Sequence, residues 1–255
     1  MDYKKINDAN INDANINDTN TNDANTNDQK SRKKIIFCLP GKSYSNQFLL
    51  AWSDLILWCS QNNFDFSVSQ NYSSVVHFAR TLCLGGDNTR GKLQKPFNNK
   101  LDYDYIMWID SDIIFKVDDF KKILESENDI TSGIYKMENT INYPTVIKWD
   151  TDYLKENGKF EFLDDEKIKQ LKEENKLLNN RYLNVEYTGM GWMLIKKDVI
   201  EQLKYPWFYH DLYQVDDFVE MFSEDVSFCK NLKKAGFDIY VDLDIRVGHY
   251  KSFII

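Results

Sequence analysis

Two short apolar runs, KIIFCLP (residues 34–40) and YDYIMWI (residues 103–109), set the strongest limit on how this chain can fold. Each is too short for a stable helix and too continuously apolar for a strand with one wet face, so both read as buried strands. Between them an apolar-periodic helix is expected over about residues 46–61. FDFSVSQ then alternates as a strand, and SSVVHFARTLCL reads as a second helix opening at its serine pair. Beyond a Gly- and Asn-rich loop (residues 85–100) and the second run, DDFKKILES reads as a short helix and DITSGIYK as another strand. Strands alternating with helices predict an α/β sheet with a substantial parallel part.

Residues 150–180 are more polar. Within them DEKIKQLKEENKLL sets Ile168, Leu171 and Leu178 on one stripe, as in a surface helix closing over a sheet edge. VEYTGMGWMLIKK resumes strand character, SEDVSFCKNLKKAG reads as a helix ending at Gly236, and FDIYVDLDIRVGHY closes the pattern. No Pro- or Ser-rich linker interrupts residues 33–255, which are expected to form one domain. Residues 6–28 instead repeat a five-residue unit (INDAN, INDAN, INDTN, TNDAN) with too few apolar positions to bury, so residues 1–32 read as a disordered tail.

The net charge of -8 argues against a general nucleic-acid binder, which needs a basic face. Cys38, Cys59, Cys83 and Cys229 form no C-x-x-C pair, which fits reduced thiols better than zinc or a disulfide framework. The polar, acidic start does not read as a signal peptide. FLLAWSDLILWC, the longest apolar stretch, falls well short of the roughly 20 residues a spanning helix needs. A soluble, cytoplasmic protein without an integral membrane segment is expected.

Asp-x-Asp spacing occurs four times, and context separates the four. Asp102 and Asp104 precede an apolar run, Asp150 and Asp152 sit in the polar insertion, and Asp242 and Asp244 end a strand. Asp110 and Asp112 alone lie between apolar walls, IMWI and IIF, at a strand's carboxyl edge. Carboxylates there are costly unless paired or metal-bound, and oxygen ligands at this spacing suit Mg2+ or Mn2+. Gly41-Lys42-Ser43 suggests a phosphate loop, but Ile36 stands where that motif needs its first glycine. Pro40 and Gly41 read instead as a ligand-facing loop at a strand's carboxyl end.

Glu224-Asp225 follows Ser223 at a helix start, where acids serve either as dipole-stabilising first-turn residues capped by Ser223 or as a base aimed into a cleft. Arg80 is an ion-pair partner or a diphosphate contact. Gly189 and Gly191 would let backbone approach a ligand, and Trp192 either offers its ring to a sugar or belongs to a strand buried on both faces. His249 ends the last apolar segment, while His77 and His210 carry no signal.

Taken in order, Arg80, YDYIMWIDSD, SGIYK, TGMGWMLIKK, SEDVSFCKNLKKAGFDIYVD and VGHY resemble the GT-A class of nucleotide-sugar glycosyltransferases, particularly its family 2-like branch. The likeness spans roughly residues 34–250 and implies a Rossmann-like αβα sandwich around a mostly parallel mixed sheet. It implies that Asp110, Asp112 and His249 hold Mn2+ or Mg2+ on the donor's diphosphate, and that Asp225 is the base of an inverting transfer with Glu224 beside the acceptor. Pro40, Gly41, Arg80, Ser111, Gly189, Gly191 and Trp192 would then line the substrate side. The donor would be a nucleotide sugar, and the acceptor a glycan, a protein or a lipid-linked molecule. LPGKSYSN departs from the family's P-x-Y-N opening, and the Q-x-x-R-W signature of processive synthases is absent, which favours adding one sugar at a time. Two rivals remain at this stage. One is a metal-dependent phosphoryl or nucleotidyl transferase drawing on Asp242 or Asp244; the other is a non-catalytic sugar- or nucleotide-binding module.

Overall fold

The computed structural model describes residues 32–138 and 140–251; the pentapeptide repeat lies outside them. β1 (Lys33–Pro40) buries its last six residues and passes to α1 (Asn46–Gln61), capped by Ser45, whose hydroxyl oxygen accepts from the Phe48 N–H at 3.0 Å. β2 (Phe64–Asn71) and α2 (Val76–Cys83) follow, then β3 (Tyr105–Ile109), the two-residue β4 (Ile113–Ile114), α3 (Val117–Leu124) and β5 (Ile130–Ile134). Next come β6 (Thr145–Val146), α4 (Thr151–Asn157), α5 (Asp165–Glu173), β7 (Tyr182–Val185), β8 (Tyr187–Thr188), β9 (Trp192–Lys196) and α6 (Lys197–Gln202). The hairpin β10 (Asp211–Val215) and β11 (Phe218–Phe222) leads into α7 (Glu224–Lys234), β12 (Ile239–Arg246) and β13 (Gly248–His249).

Seven strands form the central sheet in the order β2-β1-β3-β9-β5-β12-β7. β2, β1 and β3 are parallel, as are β5 and β12, while β9 and β7 pair antiparallel with their neighbours. Five of the seven strands therefore run one way, the mostly parallel mixed sheet expected. Side-chain alternation sends Ile35, Phe37, Met107 and Ile109 to one face, where α1 and α3 pack, and Ile36, Cys38, Ile106 and Trp108 to the other, against α2, α6 and α7. The result is an α/β/α sandwich with a core on each side of the sheet. All four cysteines are buried and free. Among the described residues no helix is long and apolar enough to cross a membrane.

Two local expectations are corrected, and one element is new. α2 begins at Val76 rather than at the serine pair, because the Ser73 hydroxyl oxygen accepts from the Val75 N–H and bends the chain outside the helix. α5 stops at Glu173, and Asn175 follows with φ at 52°, so Leu178 leaves the stripe of Ile168 and Leu171 and is 47% exposed. The hairpin over residues 211–222 is not anticipated, although two aspartates between alternating runs, with Asp216 at φ 52°, are a turn signal.

Phe120 is fully buried against Phe37, Trp58 and Phe64, with ring centroids 5.6, 5.9 and 6.4 Å away. Phe120→Ala is expected to lower the stability of residues 32–251 by about 3–5 kcal/mol, read from urea unfolding. A loss under about 1 kcal/mol would show that α3 is not anchored by this ring.

Candidate functional site

The carboxyl ends of β1, β3 and β5 open on one edge of the sheet, where open α/β sheets bind ligands. β3 runs out at Ile109, and the chain turns over Asp110, Ser111 and Asp112, closed by the Ile113 N–H donating to the Asp110 carbonyl at 3.1 Å. The Asp110 N–H donates to the Gly191 carbonyl at 3.0 Å, which ties this turn to the antiparallel β9 connection. Gly41, just past β1, presses on the same turn. A Cβ there would lie 2.5 Å from the Ser111 Cβ, so no other residue fits without moving one of the loops.

Arg80 joins this turn to a distant helix. Its Nη2 donates to Asp110 Oδ2 and its Nε to Glu224 Oε1, both at 3.0 Å, while its guanidinium lies 5.6 Å from the centre of the Trp108 ring. The Arg80 side chain is 4% exposed and that of Glu224 6%. Burial alone would lower the Arg80 pKa, but the two carboxylates outweigh it and hold the guanidinium charged. Of the two readings for Arg80, the structure shows the ion pair. One Asp110 oxygen, Oδ1, is buried without a hydrogen-bond partner.

Asp225 follows Glu224 in the first turn of α7. Its Oδ1 accepts from the Val226 N–H at 2.8 Å and from the Ser223 hydroxyl, and its Oδ2 accepts from the Tyr187 hydroxyl at 3.0 Å. Ser223 therefore serves Asp225 and makes no side-chain cap to the helix. Burial, then repulsion from Glu224, push the Asp225 carboxyl above the usual range, against the opposing hydrogen bonds and Arg80. The helix dipole favours the ionised acid at this position, but desolvation outweighs it.

The expectation for the Gly189/Gly191 pair is corrected. A Cβ on either would meet the Tyr135 hydroxyl, at 2.3 Å from Gly189 and 2.9 Å from Gly191, and the Gly191 N–H donates to that oxygen at 3.0 Å. The glycines admit a tyrosine rather than a ligand. Trp192 is fully buried with its ring 4.8 Å from that of Phe115, so it offers no face to a sugar.

The antiparallel pair β4/β13 sets His249 opposite Ile113 and brings its imidazole to Asp112. Asp112 Oδ2 lies 3.0 Å from His249 Nε2 and 2.8 Å from Lys251 Nζ, and His249 Nδ1 lies 2.9 Å from the Lys136 carbonyl. Burial pushes the Asp112 carboxyl up, but hydrogen bonds from His249 and Lys251 prevail and bring it to about 2. Burial would lower the His249 pKa, but its bonds to Asp112 and to the Lys136 carbonyl outweigh burial and raise it. Two carboxylates, an imidazole and an orphaned buried oxygen fit a hard divalent ion in kind. Among the described residues, however, no three such groups are gathered into one cluster. Arg80 and Lys251 each engage one carboxylate oxygen, Asp110 Oδ2 and Asp112 Oδ2, and leave Asp110 Oδ1 without a partner.

The other Asp-x-Asp pairs lie apart from this site in purely structural roles. Asp102 and Asp104 bind Lys34, and Asp150 caps α4 through the Asp152 and Tyr153 N–H groups. Asp242 is fully buried and accepts from Arg181 Nε at 2.7 Å, while Asp244 pairs with Lys172. Tyr135, Tyr187 and Lys251 are site residues that the sequence reading does not single out.

No protein-family model matches the chain, and no curated protein matches it. Among solved structures it is similar to A197 from STIV, at 16% identity and a TM-score of 0.49 over 86% of each chain. It is also similar to the inositol-1-phosphate CTP transferase from T. maritima, at 12% identity and a TM-score of 0.40, covering 87% of this chain and 90% of that one. Likenesses this distant carry nothing about the activity of this chain.

Removing one member of a buried ion pair leaves the others uncompensated. Arg80→Met is therefore expected to cost about 3–5 kcal/mol in urea unfolding, and adding Glu224→Gln to restore part of that loss. If the two effects simply add, Arg80 and Glu224 are not coupled.

Proposed function

We propose that this protein transfers one sugar from a nucleotide-diphospho-sugar to an acceptor hydroxyl with inversion, using Asp225 as general base. One observation carries the reading. Arg80 draws the Asp110 turn and the Glu224-Asp225 helix start, far apart in sequence, to the same carboxyl edge of the sheet. A donor-side acid pair and a half-buried acid of raised pKa thereby share one site.

Asp110, Asp112 and His249 would hold the divalent ion, Mn2+ or Mg2+. Bound there, it supplies Lewis-acid neutralisation of the charge gathering on the departing nucleoside diphosphate. Pro40, Gly41 and Ser111 form the adjoining donor wall. Asp225 presents Oδ2 to the acceptor, because Oδ1 already receives the Ser223 hydroxyl and the Val226 N–H. Tyr187 fixes that carboxylate while leaving Oδ2 a second lone pair for the acceptor's proton. Glu224 is occupied by Arg80 and positions rather than reacts. The rival phosphoryl or nucleotidyl transfer draws no support from Asp242 and Asp244, which are committed to Arg181 and Lys172.

The direct test incubates the protein with a panel of nucleotide sugars, with and without Mn2+, and follows nucleoside diphosphate release. Metal-dependent release that disappears in Asp112→Asn is the expected result; turnover of nucleoside triphosphates alone would overturn the reading. Asp225→Asn should keep donor binding and lose about 10²–10⁴ in transfer rate. Full activity there removes Asp225 as the base.

The Tyr187 hydrogen bond lowers the Asp225 pKa, and a base acts only when deprotonated. Tyr187→Phe should therefore move the acidic limb of the pH–rate profile to higher pH, with kcat reduced about tenfold. An unmoved limb would separate Tyr187 from the base.

A further inference from the structure

A cleft of about 620 Å³ lies between α2 and the segment 205–210, within the size range of small-molecule sites. His77 and Phe78 of α2 form one wall, Tyr205, Tyr209 and His210 the other. No Lys, Arg, Asp or Glu lines it, in a chain where 28% of residues are charged. The cleft thus has nothing to neutralise a phosphate or a carboxylate, and it suits an uncharged ligand.

Its polar lining is uncharged and includes Ser73, Asn88 and two imidazoles. The rings of His77 and His210 stand edge to face, with centroids 5.0 Å apart. His210 Nδ1 lies 3.1 Å from the Phe222 carbonyl, which makes it the donor and leaves Nε2 with a lone pair. His77 Nδ1 is buried without a hydrogen-bond partner. Burial, then His210, lower the His77 pKa, against the opposing pull of Glu224. Aromatic faces beside unsatisfied nitrogens match a ligand with C–H faces and hydroxyl edges.

The cleft also adjoins the site already described. His77 lies one helical turn before Arg80 on α2, and Phe222, which fixes His210, directly precedes Ser223, Glu224 and Asp225. We propose that this cleft is the acceptor subsite and that it takes a neutral, hydroxyl-rich ring, a glycoside in chemical class. His77 and His210 bind its hydroxyls, and Phe78 and Tyr209 pack on its ring. The acceptor role rests on the transferase reading; the binding of a neutral glycoside does not.

The chain holds three histidines, His77, His210 and His249, so imidazole carbon–hydrogen NMR resonances report the cleft and the proposed metal site separately. The full chain is titrated with methyl glucoside, methyl galactoside and methyl mannoside, with adenosine and inorganic phosphate as controls. At least one glycoside should shift the His77 and His210 signals saturably, with a Kd of about 1–10 mM, and leave His249 unmoved. Phe78 is 51% exposed, so Phe78→Ala should fold as the parent does and weaken that binding about tenfold. No saturable shift up to about 50 mM glycoside, or a response to adenosine or phosphate alone, overturns the proposal. A parallel Mg2+ titration should move His249 only. Its failure counts against the metal-dependent reading and leaves the glycoside result standing.

Discussion

Burying a guanidinium costs several kcal/mol unless its charge is met, and in this protein the compensation comes from two segments at once. Arg80 needs Asp110 from the turn after β3 and Glu224 from the start of α7, and each of those acids is unfavourable in its place without Arg80. The ion pair works as a registration device. With α2 covering one sheet face, only a narrow set of positions for α7 satisfies it. Asp225, the next residue, inherits its location from Glu224. Its raised pKa follows partly from standing beside that buried charge.

The antiparallel β9 supplies the second constraint. Lying between β3 and β5, it separates the two parallel groups of strands, and the Gly191 carbonyl just before it receives the Asp110 N–H. Space released by Gly189 and Gly191 is filled by Tyr135, whose hydroxyl oxygen accepts from the Gly191 N–H. Backbone, glycine pair and tyrosine thus form one packed floor under the Asp110 turn. The candidate site is rigid there for the same reason that the core is dense.

Much of this was legible in the sequence because apolar periodicity reports burial directly. KIIFCLP, YDYIMWI and WMLI are strands, and the apolar walls around Asp110 and Asp112 separate that pair from three others of equal spacing. Long-range polar pairing was not legible. Arg80 lies 30 positions from Asp110 and 144 from Glu224, and no local pattern links residues so far apart. Trp192 shows the same limit from the other side. Its position suggested either a sugar platform or a core strand, and only the packing of Phe115 against it decides for the core. Gly189 and Gly191 signalled a close approach correctly, but a glycine does not reveal what approaches; here it is a side chain of the protein itself.

The contact between Gly41 and Ser111 has a thermodynamic consequence. The loop after β1 and the turn after β3 touch with no free space between them, so neither can shift without displacing the other. Any ligand that moves the turn must therefore also do work against the loop after β1.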